Sequence, residues 1–466
     1  MAPTRTLPTA PTIAALLVAG AVLAAVIALS MQPGGATGTT PMELSDLGRR
    51  VMVVATHPDD EVLTAGGAVS ELVASGAKVR VVIVTAGDGY ASAALNVTPG
   101  RLGPASFLAL GNRRCAESRA AARALGLAEA DVVRFGYSDA GGASMWDLSW
   151  DPRQAFTGRS GSPVVPYSWA LHPGAPQCGS GLADALTAQI RDFRPDTVIS
   201  PDTRETNTDH AAVAAFTMFA LDDAGFTGSY LTAIVHFKEF PRVWAYTPQT
   251  GLAPPPHLVG DGATWLTLPL SAAAERAKGV ALDAYRSQLG IGDLSVYMHA
   301  FIRRNDLFCR RPASTPSVAA SDALPATGTT GTIALTPLPV IVSSSPDPER
   351  LLALRMVRSP DRVWLGMVCA SPARRDAGYR VDLRLLGGAA PTARLVVAVR
   401  DGGAQVLRPS ENCLTPDGVT ATLTGDTVWV SVPATTFAGR TKVIAGASST
   451  FGGFGPTRTP WVDVTY

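Results

Sequence analysis

Short apolar runs alternate with helical patterns through the first part of the chain, and this alternation constrains the fold most strongly. Residues 51–55 and 79–84 are mainly apolar runs of the kind that form buried parallel strands. Between them, Val62 and Val69 are two helical turns apart and so lie on the same face of a predicted helix. Strands that alternate with helices pair in parallel, because each return to the sheet needs a crossover connection. We therefore predict an α/β domain over residues 46–312, with a Rossmann-like, mostly parallel sheet and flanking helices.

The residue composition and the pattern of polar and apolar residues change after residue 312. Residues 313–333 are rich in Pro, Ser, Thr, Ala and Gly, with Asp322 as their only charge, and are predicted to be an extended linker. Beyond them, polar and apolar residues alternate over residues 379–385 and 461–466, which is the period of a strand with one buried face. We predict a smaller all-β domain of the sandwich type over residues 334–466.

The N-terminal segment indicates the compartment. No charged residue lies between Arg5 and Glu43, and residues 13–29 are all apolar or small. The run is slightly short for a spanning helix of about 20 residues and long for a signal core of about 7–15 residues, so a cleaved signal and a retained anchor both stay open. We expect residues 1–42 to be a signal peptide or single membrane anchor plus a spacer. The protein is then exported, and is either extracellular or anchored on the outer face of the membrane.

Charge and cysteine content restrict the partners. The 39 basic and 38 acidic side chains give a net charge of +1, which argues against a nucleic-acid partner. None of the five cysteines forms a C-x-x-C pair, so a cysteine zinc site is not expected. Cys369 and Cys413 lie in the same predicted domain and could pair.

The first predicted strand leads into Thr56-His57-Pro58-Asp59-Asp60-Glu61. A proline followed by three acids is also a good helix start, and by itself the segment suits that structural role equally well. Ligands of open α/β sheets, however, bind at the carboxyl ends of the strands. His57 and Asp60 can converge on one point there, and zinc accepts both residue types. Asp59 would stay unliganded beside the metal, where a base is useful.

A second polar segment follows the strand predicted at residues 197–199. Asn207-Thr208-Asp209-His210 leads into another predicted helix. By themselves Asp209 would be a helix cap and His210 a surface residue. Two His/Asp pairs at two strand ends of one sheet instead favour a shared metal site.

At these residues the chain resembles the PIG-L/LmbE-like family of zinc-dependent N-acetylglucosaminyl deacetylases. The resemblance rests mainly on residues 56–61, continues through residues 85–89 and 114–117, and includes residues 194–196 leading to 209–210. Residues 301–308 look like a secreted or membrane-associated branch of the family. The resemblance covers about residues 46–312 and does not reach the predicted β domain.

The resemblance implies roles for individual residues. It makes His57, Asp60 and His210 the ligands of one zinc ion, although two histidines and a carboxylate also suit other divalent transition metals. It makes Asp59 the general base. Four more residues are expected beside the metal or the substrate: Asp88, Asn207, Asp209 and His236.

Some of these positions also have simpler interpretations. Asp88 suits a turn, and His236 lies in an apolar run that is typical of a buried core histidine. Asn207 stands where many family members carry a histidine, which leaves open the group that protonates the leaving amine, with Asp59 as the leading candidate. Tyr285 also stands where the family often has histidine, and no catalytic role is expected of it.

The leading hypothesis is an exported zinc-dependent hydrolase that removes acetyl from an N-acetylated sugar of a glycolipid or surface glycan. Metal-activated water would attack the amide. The sugar class follows from the resemblance. One alternative is an amidase acting on a non-sugar conjugate. Another is a non-catalytic glycan-binding or adhesion protein, in which the β domain contacts glycans or the cell wall.

Overall fold

The computed structural model describes residues 38–312, 314–325, 332–333, 350–451 and 457–466. Most of the predicted signal or anchor, and parts of the predicted linker, lie outside these residues. Within the described part of the chain, no helix combines the length and apolar character needed to cross a membrane.

An eight-stranded sheet with helices on both faces forms the N-terminal domain. Its strands are β1 (Thr39–Pro41), β2 (Arg50–Ala55), β3 (Lys78–Thr85), β4 (Val132–Tyr137), β5 (Thr197–Pro201), β6 (Ser229–Ala233), β7 (Thr264–Pro269) and β8 (Asn305–Arg310). Its helices are α1 (Asp60–Ala74), α2 (Ala91–Val97), α3 (Pro104–Ala124), α4 (Gly142–Asp147), α5 (Gly179–Phe193), α6 (Thr208–Asp223), α7 (Ala272–Leu282), α8 (Arg286–Leu289) and α9 (Leu294–His299).

The strand order of this sheet is β1-β7-β8-β6-β5-β2-β3-β4. The five strands from β2 to β6 run parallel, and β8 pairs antiparallel with both of its neighbours. The chain builds outward from β2 to β4 and then returns to place β5 on the other side of β2. Strand order therefore reverses between β2 and β5, and the carboxyl ends of these two strands flank the crevice where such sheets bind ligands.

Strand β2 is buried on both faces, as its continuous apolar sequence predicts. Val51 and Val53 belong to the core cluster that includes α1. Met52 and Val54 belong to the opposite cluster, with residues of α5 and α6. The predicted α/β domain with flanking helices is confirmed.

Two mainly antiparallel sheets form the C-terminal domain, as predicted. Their strands are β9 (Ser317–Val318), β10 (Thr332–Ile333), β11 (Leu351–Arg358), β12 (Arg362–Cys369), β13 (Gly378–Leu386), β14 (Ala393–Arg400), β15 (Gly403–Leu407), β16 (Thr420–Thr424), β17 (Thr427–Pro433), β18 (Lys442–Thr450), β19 (Thr457–Arg458) and β20 (Val462–Thr465). One sheet has the order β10-β11-β12-β17-β16 with β9 beside β11, and the other has the order β15-β14-β13-β18-β19 with β20 beside β18. Alternating apolar residues of both sheets form a single core.

The segment between the two domains pairs with the second one. Ser317 and Val318 pair in parallel with Val357 and Arg358 of β11. The Cys369–Cys413 pairing considered from the sequence is not formed, because Cys413 is a buried free thiol next to the Ser410 hydroxyl.

Candidate metal centre

The loops after β2 and β5 meet at the point where strand order reverses. The first loop carries His57 and leads into α1, which begins at Asp60. The second leads into α6, which places His210 in its first turn. Because β2 and β5 are parallel neighbours, both loops leave the same edge of the sheet.

Three side-chain atoms converge between these loops. Asp60 Oδ2 lies 3.3 Å from His57 Nδ1 and 3.2 Å from His210 Nε2. The two imidazole nitrogens are themselves 3.2 Å apart. The three residues are buried and form a group able to hold a metal ion. The structure thus brings together the three residues that the sequence analysis expected as ligands.

The spacing fits a tetrahedral cation. Ligand atoms about 2.0–2.2 Å from a tetrahedral zinc ion lie roughly 3.3–3.6 Å from one another. The three observed separations of 3.2–3.3 Å are close to that range. Three protein ligands also leave a fourth position for water or substrate, as catalytic zinc sites require.

A carboxylate lies next to the outer nitrogen of each imidazole. His57 Nε2 lies 3.2 Å from Asp139 Oδ1, and His210 Nδ1 lies 3.4 Å from Glu205 Oε1. Such partners fix the tautomer and the ring orientation of a ligating histidine. Both imidazoles can therefore present an unprotonated nitrogen to a shared cation.

The local charge favours a cation. Burial lowers the pKa of His210, but Asp60 and Glu205 outweigh it and raise that pKa to about 10. Burial likewise lowers the pKa of His57, yet its carboxylate neighbours, Asp139 first, raise it well above its usual value. The carboxylates thus strongly stabilise positive charge at the two imidazoles, and a divalent ion at the three converging atoms would supply it.

Asp59 lies beside the three converging residues and adopts an unusual backbone conformation. Its φ of 134° is rare for a residue with a side chain, and such strain concentrates at functional sites. Arg114 Nη2 donates a hydrogen bond of 2.8 Å to Asp59 Oδ2. Burial raises the pKa of Asp59 to about 7, against the opposing effect of Arg114. A carboxylate with a pKa near neutrality suits a general base.

A cavity of about 370 Å³ opens onto these residues. Its walls include Asp59, Asp60 and His57 together with aromatic and aliphatic residues. The full lining is His57, Asp59, Asp60, Leu63, Gly89, Tyr90, Arg114, Asp139, Asn207, His236, Gln288, Leu294, Tyr297 and Met298.

His236 lines the cavity next to the converging residues. Its ring packs edge-on against His210 with centroids 4.8 Å apart. Burial, followed by the charge of His210, lowers the pKa of His236 to about 3, so this imidazole is neutral at pH 7. A neutral imidazole offers one N–H to a substrate oxygen.

Asn207 lines the cavity, and Asp209 contacts the neighbouring loop and His57. Asn207 lines the cavity and also caps α6, accepting a hydrogen bond of 2.9 Å from the Asp209 N–H. Asp209 accepts from the Ala140 and Gly142 N–H groups and lies 3.8 Å from His57 Nε2.

Asp88 is buried and does not line the cavity. Its two oxygens accept hydrogen bonds from the Asp139 N–H and the Tyr167 hydroxyl. Asp88 therefore positions the loop that carries Asp139. It acts on His57 through that residue.

The sequence analysis gave no role to Asp139, Glu205 or Arg114. Asp139 follows β4, whose sequence includes Arg134. Its position just beyond the carboxyl end of a strand was the signal that could have identified it as a site residue. Glu205 lies in the loop after β5 and accepts hydrogen bonds of 2.6 Å from the Val235 and His236 N–H groups. Its long-range partners give no local pattern.

Tyr285 does not reach the cavity. Its hydroxyl donates to buried Glu61 Oε1, whose other oxygen accepts from the Asp59 N–H at 3.0 Å. Tyr285 therefore supports the loop that carries Asp59.

Comparison with known proteins identifies relatives of the α/β domain. Residues 52–221 match the family model described as PIG-L: GlcNAc-PI de-N-acetylase. The chain is 30% identical over 182 residues to a 1D-myo-inositol 2-acetamido-2-deoxy-alpha-D-glucopyranoside deacetylase of Tsukamurella paurometabola, covering 39% of this chain and 57% of the relative. A relative with the same activity in its name, from Saccharopolyspora erythraea, is 34% identical over 182 residues, covering 37% of this chain and 53% of the relative. The chain thus spans about half the length of these curated relatives.

Solved structures of low identity also align with the chain. The conserved protein TT1542 from Thermus thermophilus is 20% identical with a TM-score of 0.32. The alignment covers 54% of this chain and 84% of TT1542. The A40926 pseudoaglycone deacetylase Dbv21 is 18% identical with a TM-score of 0.34, and covers 52% of this chain and 84% of its own.

Proposed function

We propose that this chain, whose residues 52–221 match the PIG-L family model, is a metal-dependent N-deacetylase that removes acetyl from an N-acetylated sugar. The convergence of His57 Nδ1, Asp60 Oδ2 and His210 Nε2 carries this proposal. A buried three-ligand set beside an acid with a pKa near 7, next to an open cavity, is the arrangement that metal-assisted amide hydrolysis needs.

The residues of the site divide the chemistry among them. A divalent metal bound there would polarise the amide carbonyl and lower the pKa of a bound water. Asp59 accepts a proton from the attacking water and returns it to the departing amine, since its pKa lies close to neutrality. Arg114 holds the Asp59 carboxylate in place. His236 offers a neutral N–H towards the oxygen on which negative charge develops.

The choice of substrate and metal rests on two further points. The curated relatives are named as deacetylases of a 2-acetamido glucoside, which favours an N-acetylated sugar over a non-sugar amide. Zinc is the proposed metal because the 3.2–3.3 Å spacing suits a tetrahedral ion and because the ligands are two imidazoles and a carboxylate. The products are acetate and a free amino sugar.

Export is part of the same proposal. It rests on the apolar run at residues 13–29 and the charge-free segment before Glu43. N-terminal sequencing of protein recovered from outside the cell and from the membrane fraction would show whether the segment is removed. Protein found only in the cytoplasm would contradict export.

Metal content and acetate release test the function together. We expect the full chain to bind about one zinc ion and to release acetate from N-acetylglucosamine derivatives. His210→Ala removes one of the three ligands, so it should lose the metal and at least about 100-fold in kcat/KM. The matched control is His172→Ala, which removes an exposed histidine that does not line the cavity.

Each outcome selects among the alternatives. If the wild-type protein binds no ion even when zinc is supplied, the hydrolase proposal is overturned in favour of a glycan-binding protein. Metal binding with acetate release only from non-sugar amides would replace the sugar substrate with another conjugate.

A further inference from the structure

An exposed tryptophan lies on the loop between β6 and β7. Trp244 is 56% exposed and its neighbours Val243 and Tyr246 are 57% and 61% exposed. The loop follows residues 52–221, so it lies outside the part of the chain that matches the family model. Large exposed aromatic side chains beside a cavity commonly mark a binding surface.

Buried Arg303 fixes the backbone on both sides of this tryptophan. Its Nη2 donates to the Val243 carbonyl and its Nη1 donates to the Ala245 carbonyl, both at 3.0 Å. Arg303 is only 2% exposed, so its guanidinium makes these bonds largely out of contact with water. The peptide that carries Trp244 is therefore held in one position.

A row of rings connects Trp244 with the metal centre. The Trp244 ring lies against Tyr297 with centroids 4.9 Å apart, and Tyr297 lies parallel to His236 at 6.1 Å. His236 in turn contacts His210 at 4.8 Å. Tyr297 is held by a hydrogen bond of 2.6 Å from its hydroxyl to the Val235 carbonyl. Trp244 thus packs against Tyr297, a residue of the cavity wall, while more than half of its own surface stays exposed.

We propose that Trp244 is the platform for a second sugar ring, next to the ring whose amide is cleaved. The inference rests on the proposed function and narrows the substrate to an oligosaccharide or a glycoside with a second ring. An aromatic face binds the C–H face of a pyranose while the hydroxyl groups stay in water. Lys238, Glu239 and Arg242 are exposed on the same loop, and this charged border suits a hydrated sugar better than an acyl chain.

Three substrates and three variants test the platform. We would measure kcat/KM for N-acetylglucosamine, N,N′-diacetylchitobiose and octyl 2-acetamido-2-deoxyglucoside. Trp244→Ala should lose about tenfold on the disaccharide, mainly in KM, and less than about twofold on the monosaccharide. Trp244→Phe should retain most of the disaccharide activity. Tyr246→Ala is the matched control, because Tyr246 is equally exposed on the same loop but contacts His299 rather than a cavity residue.

The other outcomes overturn the inference. Equal losses on all three substrates, or none on the disaccharide, would remove the sugar platform. A loss confined to the octyl glycoside would replace the second sugar with an alkyl chain. If the wild type released acetate from none of them, the proposed function would fail. Calorimetric Kd values for chitobiose and glucosamine would then decide the platform, which requires Trp244→Ala to weaken chitobiose alone.

Discussion

Each imidazole of the metal centre uses its two nitrogens differently. His57 directs Nδ1 towards the shared point and Nε2 towards Asp139, whereas His210 directs Nε2 inward and Nδ1 towards Glu205. The Asp139 carboxylate contacts His57 Nε2 and selects the tautomer that leaves Nδ1 free for a metal, and the negative charge of Glu205 near His210 Nδ1 favours the equivalent tautomer there. The affinity of this candidate centre for a metal would therefore depend on Asp139 and Glu205 as well as on the three converging residues.

Asp139→Asn tests that dependence. We expect about a 10–100-fold weaker zinc affinity with an unchanged fold, because an amide no longer stabilises the orientation and basicity of His57. Zinc titration against a competing chelator measures the affinity, and circular dichroism reports the fold. Asp283→Asn is the control, since Asp283 lies 3.1 Å from His299 away from the site. Equal zinc affinity in both variants would remove the positioning role.

Asp59→Asn separates metal binding from proton transfer. The amide keeps the shape of Asp59 and can still contact Arg114, but it cannot accept a proton. We expect a full complement of zinc and a loss of about 10²–10⁴-fold in kcat. Metal analysis beside acetate release makes the measurement. Activity at the wild-type level would assign the base to another residue.

At the scale of elements, two helix starts build the centre. Helix α1 begins at Asp60 directly after the strained Asp59, and α6 begins at Thr208 after the Asn207 cap. In both cases the residues that open the helix also face the cavity. A change in this region therefore alters both the helix and the chemistry, and variants must distinguish the two.

Asn207 offers such a distinction. Its side chain accepts from the Asp209 N–H, so Asn207→Ala should lower the free energy of unfolding by about 1 kcal/mol. Asn207→Asp keeps an N-cap acceptor and should retain most of the stability. Urea unfolding of both variants measures the effect. An alanine variant with normal stability and impaired turnover would instead place Asn207 in contact with substrate.

At the scale of the whole molecule, the β domain packs against the helices behind the centre. Buried Arg384 of β13 lies over the rings of Trp146 and Trp150, 4.6 and 4.3 Å from their centroids, and donates to the Trp146 carbonyl. Arg458 forms an ion pair of 2.5 Å with Asp147. Trp146 also contacts Phe216 of α6, the helix that carries His210. The second domain thus stabilises the helix layer that includes α6, the helix that carries His210.

Asp382 gives this domain a predictable pH dependence. Burial raises its pKa, but Arg394 outweighs this and lowers the pKa of Asp382 to about 2. A carboxyl whose pKa is lower in the folded than in the unfolded state, about 3.9, contributes stability above about pH 4 and loses it as the pH falls towards about 2. This contribution is on the order of 2 kcal/mol.

Asp382→Asn should therefore lower Tm most above about pH 4. The substitution leaves the charged Arg394 guanidinium buried without its carboxylate partner, which costs about 3–5 kcal/mol of stability. The Tm difference from wild type should shrink between about pH 4 and pH 2, as measured by scanning calorimetry. Asp376→Asn, at an exposed pair with Arg374, should change Tm little at any pH. A constant difference for Asp382→Asn would contradict the assignment.

Local patterns were sufficient for much of this protein. Apolar runs and helical periodicity predicted β2, β3, β5 and α1, because the periods of strands and helices can be recognised from neighbouring residues. The pairs His57/Asp60 and Asp209/His210 could be read as a site, because each follows a strand in a sheet whose ligands bind at carboxyl ends.

Only the tertiary structure decided which loops meet. The order that places β5 beside β2 brings His210 within 3.2 Å of Asp60, and the loop after β4 brings Asp139 to His57. Arg114 lines the cavity, and Trp244 contacts Tyr297 of its wall, although these residues belong to elements far apart in the chain. Strand order and loop conformation depend on contacts between distant residues, so no local pattern encodes them. The sequence by itself therefore determined the types of element and the candidate metal ligands, whereas folding selected the residues that orient those ligands and border the cavity.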